Sequence, residues 1–72
     1  MVVLHHQELA VVVDRQATIR TGPFEESPDS FTANDGAELQ VLDQKDNWLQ
    51  VTDGHGRVGW LKREIVAVIP EV

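Results

Sequence analysis

The chain has 72 residues, enough for one small domain, because a chain of this size buries only ~60% of the surface that it exposes when unfolded. It contains no cysteine, which excludes disulfides, iron–sulfur clusters, thiolate zinc sites and cysteine nucleophiles together. Twelve acidic residues against six basic ones give a formal charge of -6, which disfavours nucleic acids and anionic lipid surfaces as partners and favours basic or neutral ones.

The chain divides into one domain with short ends. We expect a flexible segment over residues 1–8, the domain over residues 9–70 and a tail over residues 71–72. No window holds the ~18 to 20 apolar residues that span a bilayer, and the start lacks a basic segment followed by an apolar one, so we expect neither an anchor nor a leader in it. The abrupt apolar run after Met1 and the stop soon after Pro70 predict a domain excised from a longer protein.

Short runs rich in Val and Ile, separated by turn residues about every 8 to 12 positions, predict an all-β barrel or sandwich. Residues 9–13 are apolar throughout and predict a first strand that is buried on both faces. Residues 18–20 predict a short second strand. A polar loop over residues 22–30 follows and leads to a brief strand over residues 31–33.

Two hairpins are predicted next. Residues 38–44 alternate, with Leu39 and Val41 on one face, and residues 45–47 turn this strand back into a partner over residues 48–52.

The second hairpin follows directly. Residues 53–56 contain two glycines free to take positive φ, so they predict a tight turn into a strand over residues 57–61. We then expect one helical turn over residues 62–65 and a last strand over residues 66–69, which pairs with the first strand and closes the barrel. The inward positions predict a core of Val12, Ile19, Leu39, Val41, Leu49, Val51, Leu61, Val66 and either Val68 or Ala67.

Three short segments share their order and spacing with the motifs of a known family. They are Ile-Arg-Thr-Gly-Pro at residues 19–23, Gly-Ala-Glu-Leu-Gln-Val-Leu at residues 36–42, and Asn-Trp-Leu-Gln-Val at residues 47–51 followed by Gly54 and by Gly-Trp-Leu at residues 59–61. These resemble the motifs V-R-S-G-P, G-x-x-v-x-V-l and g-W-x-x-V … G-x-x-G-W-v. On these motifs the chain resembles the bacterial SH3-like (SH3b) family over residues 10–69.

The resemblance implies a small SH3-like barrel of five to six short antiparallel strands with a single helical turn before the last strand. It also implies a non-enzymatic binding or interaction module of a larger bacterial envelope-associated protein. The first and last strands resemble in particular the C-terminal SH3-like domain of tetratricopeptide proteins from aerotolerance operons, where it follows membrane-spanning helices. The bacterial envelope or periplasm is therefore the location that the resemblance favours. Thr18 departs from the family, which usually has Asn there.

Two tryptophans are candidate binding residues. By strand alternation Trp48 lies on the face opposite to Leu49 and Val51, and Trp60 is separated in the same way from Leu61. The resemblance to SH3 domains implies that Trp48 stands at the position of their groove tryptophan and Trp60 where an aromatic groove residue often stands.

Three acids complete the predicted site. Glu25, Glu26 and Asp29 lie in the loop that reads a basic ligand residue in eukaryotic SH3 domains. We predict an apolar patch flanked by Trp48 and Trp60 with these acids as its rim, and a ligand that is a basic peptide or protein, or a cell-wall glycopeptide. The alternatives are a loop that is polar for hydration alone and rings that merely cover the barrel end.

A polyproline groove is not expected. The chain has no tyrosine, and Lys62 and Ile65 stand where eukaryotic SH3 grooves carry Pro and Tyr.

No catalytic, metal or cofactor site is predicted, because no nucleophile with a base, paired carboxylates in a cleft or open metal position is evident. His5 and His6 point to opposite sides of an extended chain, and His55 is at a hairpin tip. The rivals to a general binding module are a peptidoglycan-targeting domain and a spacer domain without a ligand.

Overall fold

The computed structural model describes residues 8–70, which form seven β-strands and a three-residue 3-10 turn. The strands are β1 (Glu8–Val12), β2 (Gln16–Arg20), β3 (Asp29–Asn34), β4 (Glu38–Lys45), β5 (Trp48–Thr52), β6 (Val58–Lys62) and β7 (Val66–Pro70), and the 3-10 turn (Arg63–Ile65) joins β6 to β7. The predicted all-β class and the turn before the last strand are confirmed. The seven strands correspond to the seven predicted from the turn spacing and exceed the five to six that the resemblance implies.

The chain ends fall largely outside this description. The flexible segment predicted over residues 1–8 lies outside the described residues except for Glu8, which begins β1, and the tail over residues 71–72 lies outside them entirely. Within the described part, no helix is both long and apolar enough to cross a membrane.

All strand pairs are antiparallel and form one sheet in the order β3-β2-β6-β5-β4-β1-β7. The last strand pairs with the first, as predicted, with Val66 opposite Val12 and Pro70 opposite Glu8. In this order β3 and β7 are the two edges of the sheet. The hairpin from β5 to β6 therefore lies near the centre of the sheet, with β4 along one side and β2 paired to the other at Arg20 and Trp60.

The core is built from alternate residues of the strands, as expected for a sheet with one buried face. The buried hydrophobic residues are Ala10, Val12, Ala17, Ile19, Phe31, Ala33, Leu39, Leu49, Val51, Leu61 and Val66. Of the predicted core, Val41 and Val68 are only partly buried against it and Ala67 is exposed. Phe31 and three alanines belong to the core although they were not predicted there.

The first strand is not buried on both faces, so this prediction was wrong. Ala10 and Val12 are completely buried, whereas Leu9 and Val11 are half-buried. Val13, just past the strand, is 56% exposed. The sheet covers only one face of β1, and an apolar run cannot by itself show whether a second layer is present.

The two hairpins form where they were predicted. In the first, a register shift between Val41 and Asp43 interrupts the alternation of β4 and leaves Leu42 exposed. In the second, Gly54 and Gly56 take φ values of 82° and 90°, a region that favours glycine, and so allow the tight turn.

Candidate ligand-binding site

Two half-buried tryptophans lie on the outer face of the β5–β6 hairpin. Trp48 is directly opposite Lys62 in this ladder, and Trp60 is opposite Gln50. The intervening Leu49 is buried on the other face, which confirms the predicted alternation. Trp48 and Trp60 are therefore diagonal neighbours on one surface, the arrangement in which large side chains of adjacent strands come within reach of each other.

Arg20, the last residue of β2, anchors the loop between β2 and β3. Its Nη1 donates a hydrogen bond to the carbonyl oxygen of Ser27 at 3.1 Å and lies 3.4 Å from the carboxylate of Asp29. The backbone N–H of Thr21 closes the loop by donating to the carbonyl oxygen of Pro28 at 2.9 Å. A guanidinium suits this position because it donates several hydrogen bonds from one rigid plane.

The tip of the same loop projects toward Trp48. The backbone N–H of Ser27 donates to the carbonyl oxygen of Phe24 at 3.0 Å and so forms a turn, and the Phe24 side chain is 58% exposed. An open pocket of about 340 Å³ lies between the loop tip and the outer face of the hairpin. It is lined by Pro23, Phe24, Glu25, Glu26, Asn47, Trp48, Lys62 and Glu64.

Two lysines lie over the aromatic rings of this region. The Lys62 Nζ is 5.9 Å from the Trp48 ring centroid and donates a hydrogen bond to Oε1 of Glu25. This hydrogen bond lowers the pKa of the Glu25 carboxyl and raises the pKa of the Lys62 ammonium. The Lys45 Nζ is 5.7 Å from the Phe24 ring centroid. One carboxylate of the predicted acidic rim is thus already paired within the domain.

The other two carboxylates of the pocket are available. Among the described residues, Glu26 and Glu64 take part in no ion pair and accept no side-chain hydrogen bond. The pocket lining therefore combines three carboxylates with a single ammonium group. Its excess of negative charge attracts cations and repels anions.

The structure brings together three of the five predicted site residues. Trp48, Glu25 and Glu26 line the pocket. Trp60 lies on the same face of the sheet but outside the pocket lining. Asp29 begins β3, contacts the arginine that anchors the loop, and lies outside the pocket lining.

Five lining residues were not among the predicted site residues: Pro23, Phe24, Asn47, Lys62 and Glu64. Lys62 lies opposite Trp48 because β6 begins at Val58, whereas the predicted turn over residues 53–56 would have placed Leu61 there. Phe24 could have been found from the sequence, because it is a large aromatic residue within a polar loop. No local pattern in the sequence marks Asn47 or Glu64 as a site residue. The two come together only in the folded chain, where the 3-10 turn brings Glu64 beside the β4–β5 turn.

A metal site does not appear among residues 8–70, where no three side chains of His, Cys, Asp or Glu are grouped to hold an ion. His55 is exposed at the β5–β6 turn, and His5 and His6 lie outside the described residues.

Comparison with known proteins gives one family match. The model of the bacterial SH3 domain family matches residues 15–67, from the start of β2 into β7, and this span includes the whole pocket. No curated protein and no solved structure matches the chain significantly. The match concerns a domain and not a parent protein, so the narrower resemblance to aerotolerance-operon proteins stays a prediction.

Proposed function

The chain belongs to the bacterial SH3 domain family, and we propose that residues 9–70 are a non-enzymatic binding module of a larger, envelope-associated bacterial protein. Domains of this family generally bind peptide or cell-wall partners. The observation that carries the proposal is the pocket beside Trp48, where an aromatic face and unpaired carboxylates lie together on an open surface.

The ligand that fits this chemistry carries a lysine or arginine side chain, or another amine. Trp48 offers apolar area, which contributes roughly 25 cal/mol per Å² removed from water, and a π face that attracts cations. Glu25 and Glu26 supply negative charge at the loop tip. Trp60 extends the apolar surface along the same face, and Asp29 acts through the loop anchor. The predicted basic peptide, protein or glycopeptide partner is consistent with these groups.

Two alternatives have different chemical requirements. A peptidoglycan-targeting domain would bind wall fragments, whose stem peptides and amino sugars present amines and amides on a saccharide. A spacer domain would bind neither class of ligand, and Trp48 would then serve only to cover the sheet, which its half-buried state allows.

Titration of the isotope-labelled domain by NMR tests the proposal. The two ligands are a lysine peptide, acetyl-Gly-Lys-Gly-Lys-Gly-amide, and soluble disaccharide-peptide fragments of the cell wall. We expect shifts concentrated at the Trp48 indole N–H and at the backbone of Glu26 and Asn47. Trp48→Ala should abolish these shifts with little loss of thermal stability, whereas Leu42→Ala, which truncates an exposed side chain outside the pocket, should bind like the wild type.

The outcomes separate the three functions. Trp48-dependent shifts with the peptide support the binding module, and such shifts with wall fragments alone assign the domain to peptidoglycan. Binding that survives Trp48→Ala contradicts the proposed site. No response to either ligand contradicts the proposed function and favours the spacer.

A further inference from the structure

Lys62 lies where a bound cation would lie. Its backbone is paired with Trp48 across the hairpin, and its Nζ is 5.9 Å from the ring centroid, within the ~6 Å range of a cation–π contact. The same ammonium donates a hydrogen bond to the Glu25 carboxylate. Lys62 thus uses both groups, the aromatic face and a loop carboxylate, that would bind an incoming ammonium or guanidinium.

This intramolecular contact is open to exchange. The Lys62 and Glu25 side chains are 33% and 70% exposed, so water competes for both and salt screens their attraction. Glu26 and Glu64 lie in the same pocket without an ion-pair partner among the described residues, so the pocket keeps negative charge while Lys62 is in place. The pocket therefore attracts a second cation to the position over Trp48 that the Lys62 ammonium already occupies.

We propose that Lys62 is an internal competitor, which occupies the cation position over Trp48 and must be displaced before a basic ligand binds there. This inference rests on the proposed function, because it names the residue that sets the affinity of that site. Lys62 keeps the domain from binding every basic chain that it meets, and a true partner must bring enough additional contact to displace it. Glu25 changes partner in this exchange, from the Lys62 ammonium to the cation of the ligand.

The test compares two lysine variants with the same change in net charge. Lys62→Met removes the ammonium and keeps an unbranched stem over Trp48, and Lys45→Met does the same at the neighbouring Phe24 ring. With acetyl-Gly-Lys-Gly-Lys-Gly-amide as the probe, we expect Lys62→Met to bind at least about threefold more tightly than the wild type, the size of an exposed cation–π contact. Lys45→Met should change the affinity less, because Lys45 does not line the pocket.

A second measurement needs no ligand. The Glu25 carboxyl is titrated by NMR in both variants. Its pKa should return toward the ordinary 4.5 in Lys62→Met and keep its lowered value in Lys45→Met. If Lys62→Met melts below the working temperature, Lys62→Gln replaces it in both measurements.

The results distinguish a failure of the internal competitor from a failure of the proposed binding function. If Lys62→Met binds the peptide no more tightly than Lys45→Met while binding still depends on Trp48, the internal competitor is contradicted and the binding module stands. An unchanged Glu25 titration in Lys62→Met also contradicts the competitor. If neither the wild type nor Lys62→Met shows Trp48-dependent binding to the peptide or to wall fragments, the proposed function fails, and this inference fails with it.

Discussion

Gly59 of β6 packs directly on Ile19 of β2. A side-chain carbon at residue 59 would overlap Cγ2 of Ile19 and lie 2.7 Å from the carbonyl oxygen of Arg20. The contact lies where β2 and β6 share the ladder pair of Arg20 with Trp60. The absence of a side chain at Gly59 therefore lets the strand that anchors the loop lie against the strand that carries Lys62.

Replacement of this glycine should destabilise the domain. We expect Gly59→Ala to lower the free energy of unfolding by about 1 to 3 kcal/mol, because the added methyl group must push β2 away from β6. The measurement is urea unfolding followed by tryptophan fluorescence. Val58→Ala, at the adjacent exposed position, is the control and should stay within about 0.5 kcal/mol of the wild type. A Gly59→Ala domain as stable as this control would mean that the two strands are not in close contact.

Core truncation should cost much of the total stability. Leu61 is completely buried, so Leu61→Ala should lower the free energy of unfolding by about 2 to 5 kcal/mol. Losses of this size approach the whole stability of a small domain, and we expect partial unfolding at room temperature. Leu42→Ala removes the same atoms from a side chain that is 53% exposed and should be close to neutral in the same chemical denaturation assay. Equal stability of the two variants would contradict the described core.

Arg20 should control binding through the loop that it anchors. Arg20→Met removes the hydrogen bond to Ser27 and the contact with Asp29, so the loop tip should lose its position beside the pocket. We expect weaker binding of the lysine peptide and faster hydrogen exchange at the Thr21 amide, with partial recovery of both in Arg20→Lys. Arg15→Met, a change of the same charge outside the loop, should leave both unchanged. Wild-type binding and exchange in Arg20→Met would show that the loop holds its position without this anchor.

Asp53 should contribute to the acid sensitivity of the domain. Its Oδ1 accepts hydrogen bonds from the backbone N–H groups of His55 at 2.8 Å and Arg57 at 3.3 Å, and Oδ2 accepts one from the Arg57 side chain. The His55 hydrogen bond and the contacts with Arg57 hold the pKa of Asp53 below its ordinary 3.8. Because the pKa is lowered in the folded state, the stabilisation is complete above pH 3.8 and is lost as the pH falls through the folded-state pKa.

The free energy of unfolding, measured across the acid range, tests whether this stabilisation is lost as the pH falls. Asp53→Asn keeps an oxygen acceptor for the turn but does not titrate, so the stability of this variant should fall less steeply between about pH 4 and pH 2 than that of the wild type. Urea unfolding at several pH values gives the slopes. An identical acid slope in the two proteins would show that Asp53 has the same pKa in the folded and unfolded chains.

Metal removal should have no effect. The chain has no cysteine, and a ligand that binds only the folded state would raise the apparent stability by mass action. We therefore expect the melting temperature to be the same before and after treatment with a chelator. A drop of several degrees would reveal a bound ion and contradict this prediction.

The sequence by itself determined the strands and the faces on which their side chains lie. Strand alternation has a period of two, and turns depend on a few adjacent residues, so both are local properties that can be read directly. The two hairpins, the outward position of Trp48 and the pairing of the last strand with the first all followed from such patterns. The order and spacing of the motifs were also sufficient for the family.

Only the tertiary structure decided which side chains meet in the pocket. Lys62 and Glu25 are 37 residues apart, and their contact depends on how the anchored loop folds over the hairpin. Likewise, the sequence could not show that Asp29 belongs to the loop anchor or that Phe31 is buried, because β3 meets its partners only when the sheet has formed. Local patterns carry the direction of each side chain, whereas the partner it meets depends on non-local packing and on the register of strands that are distant in the chain.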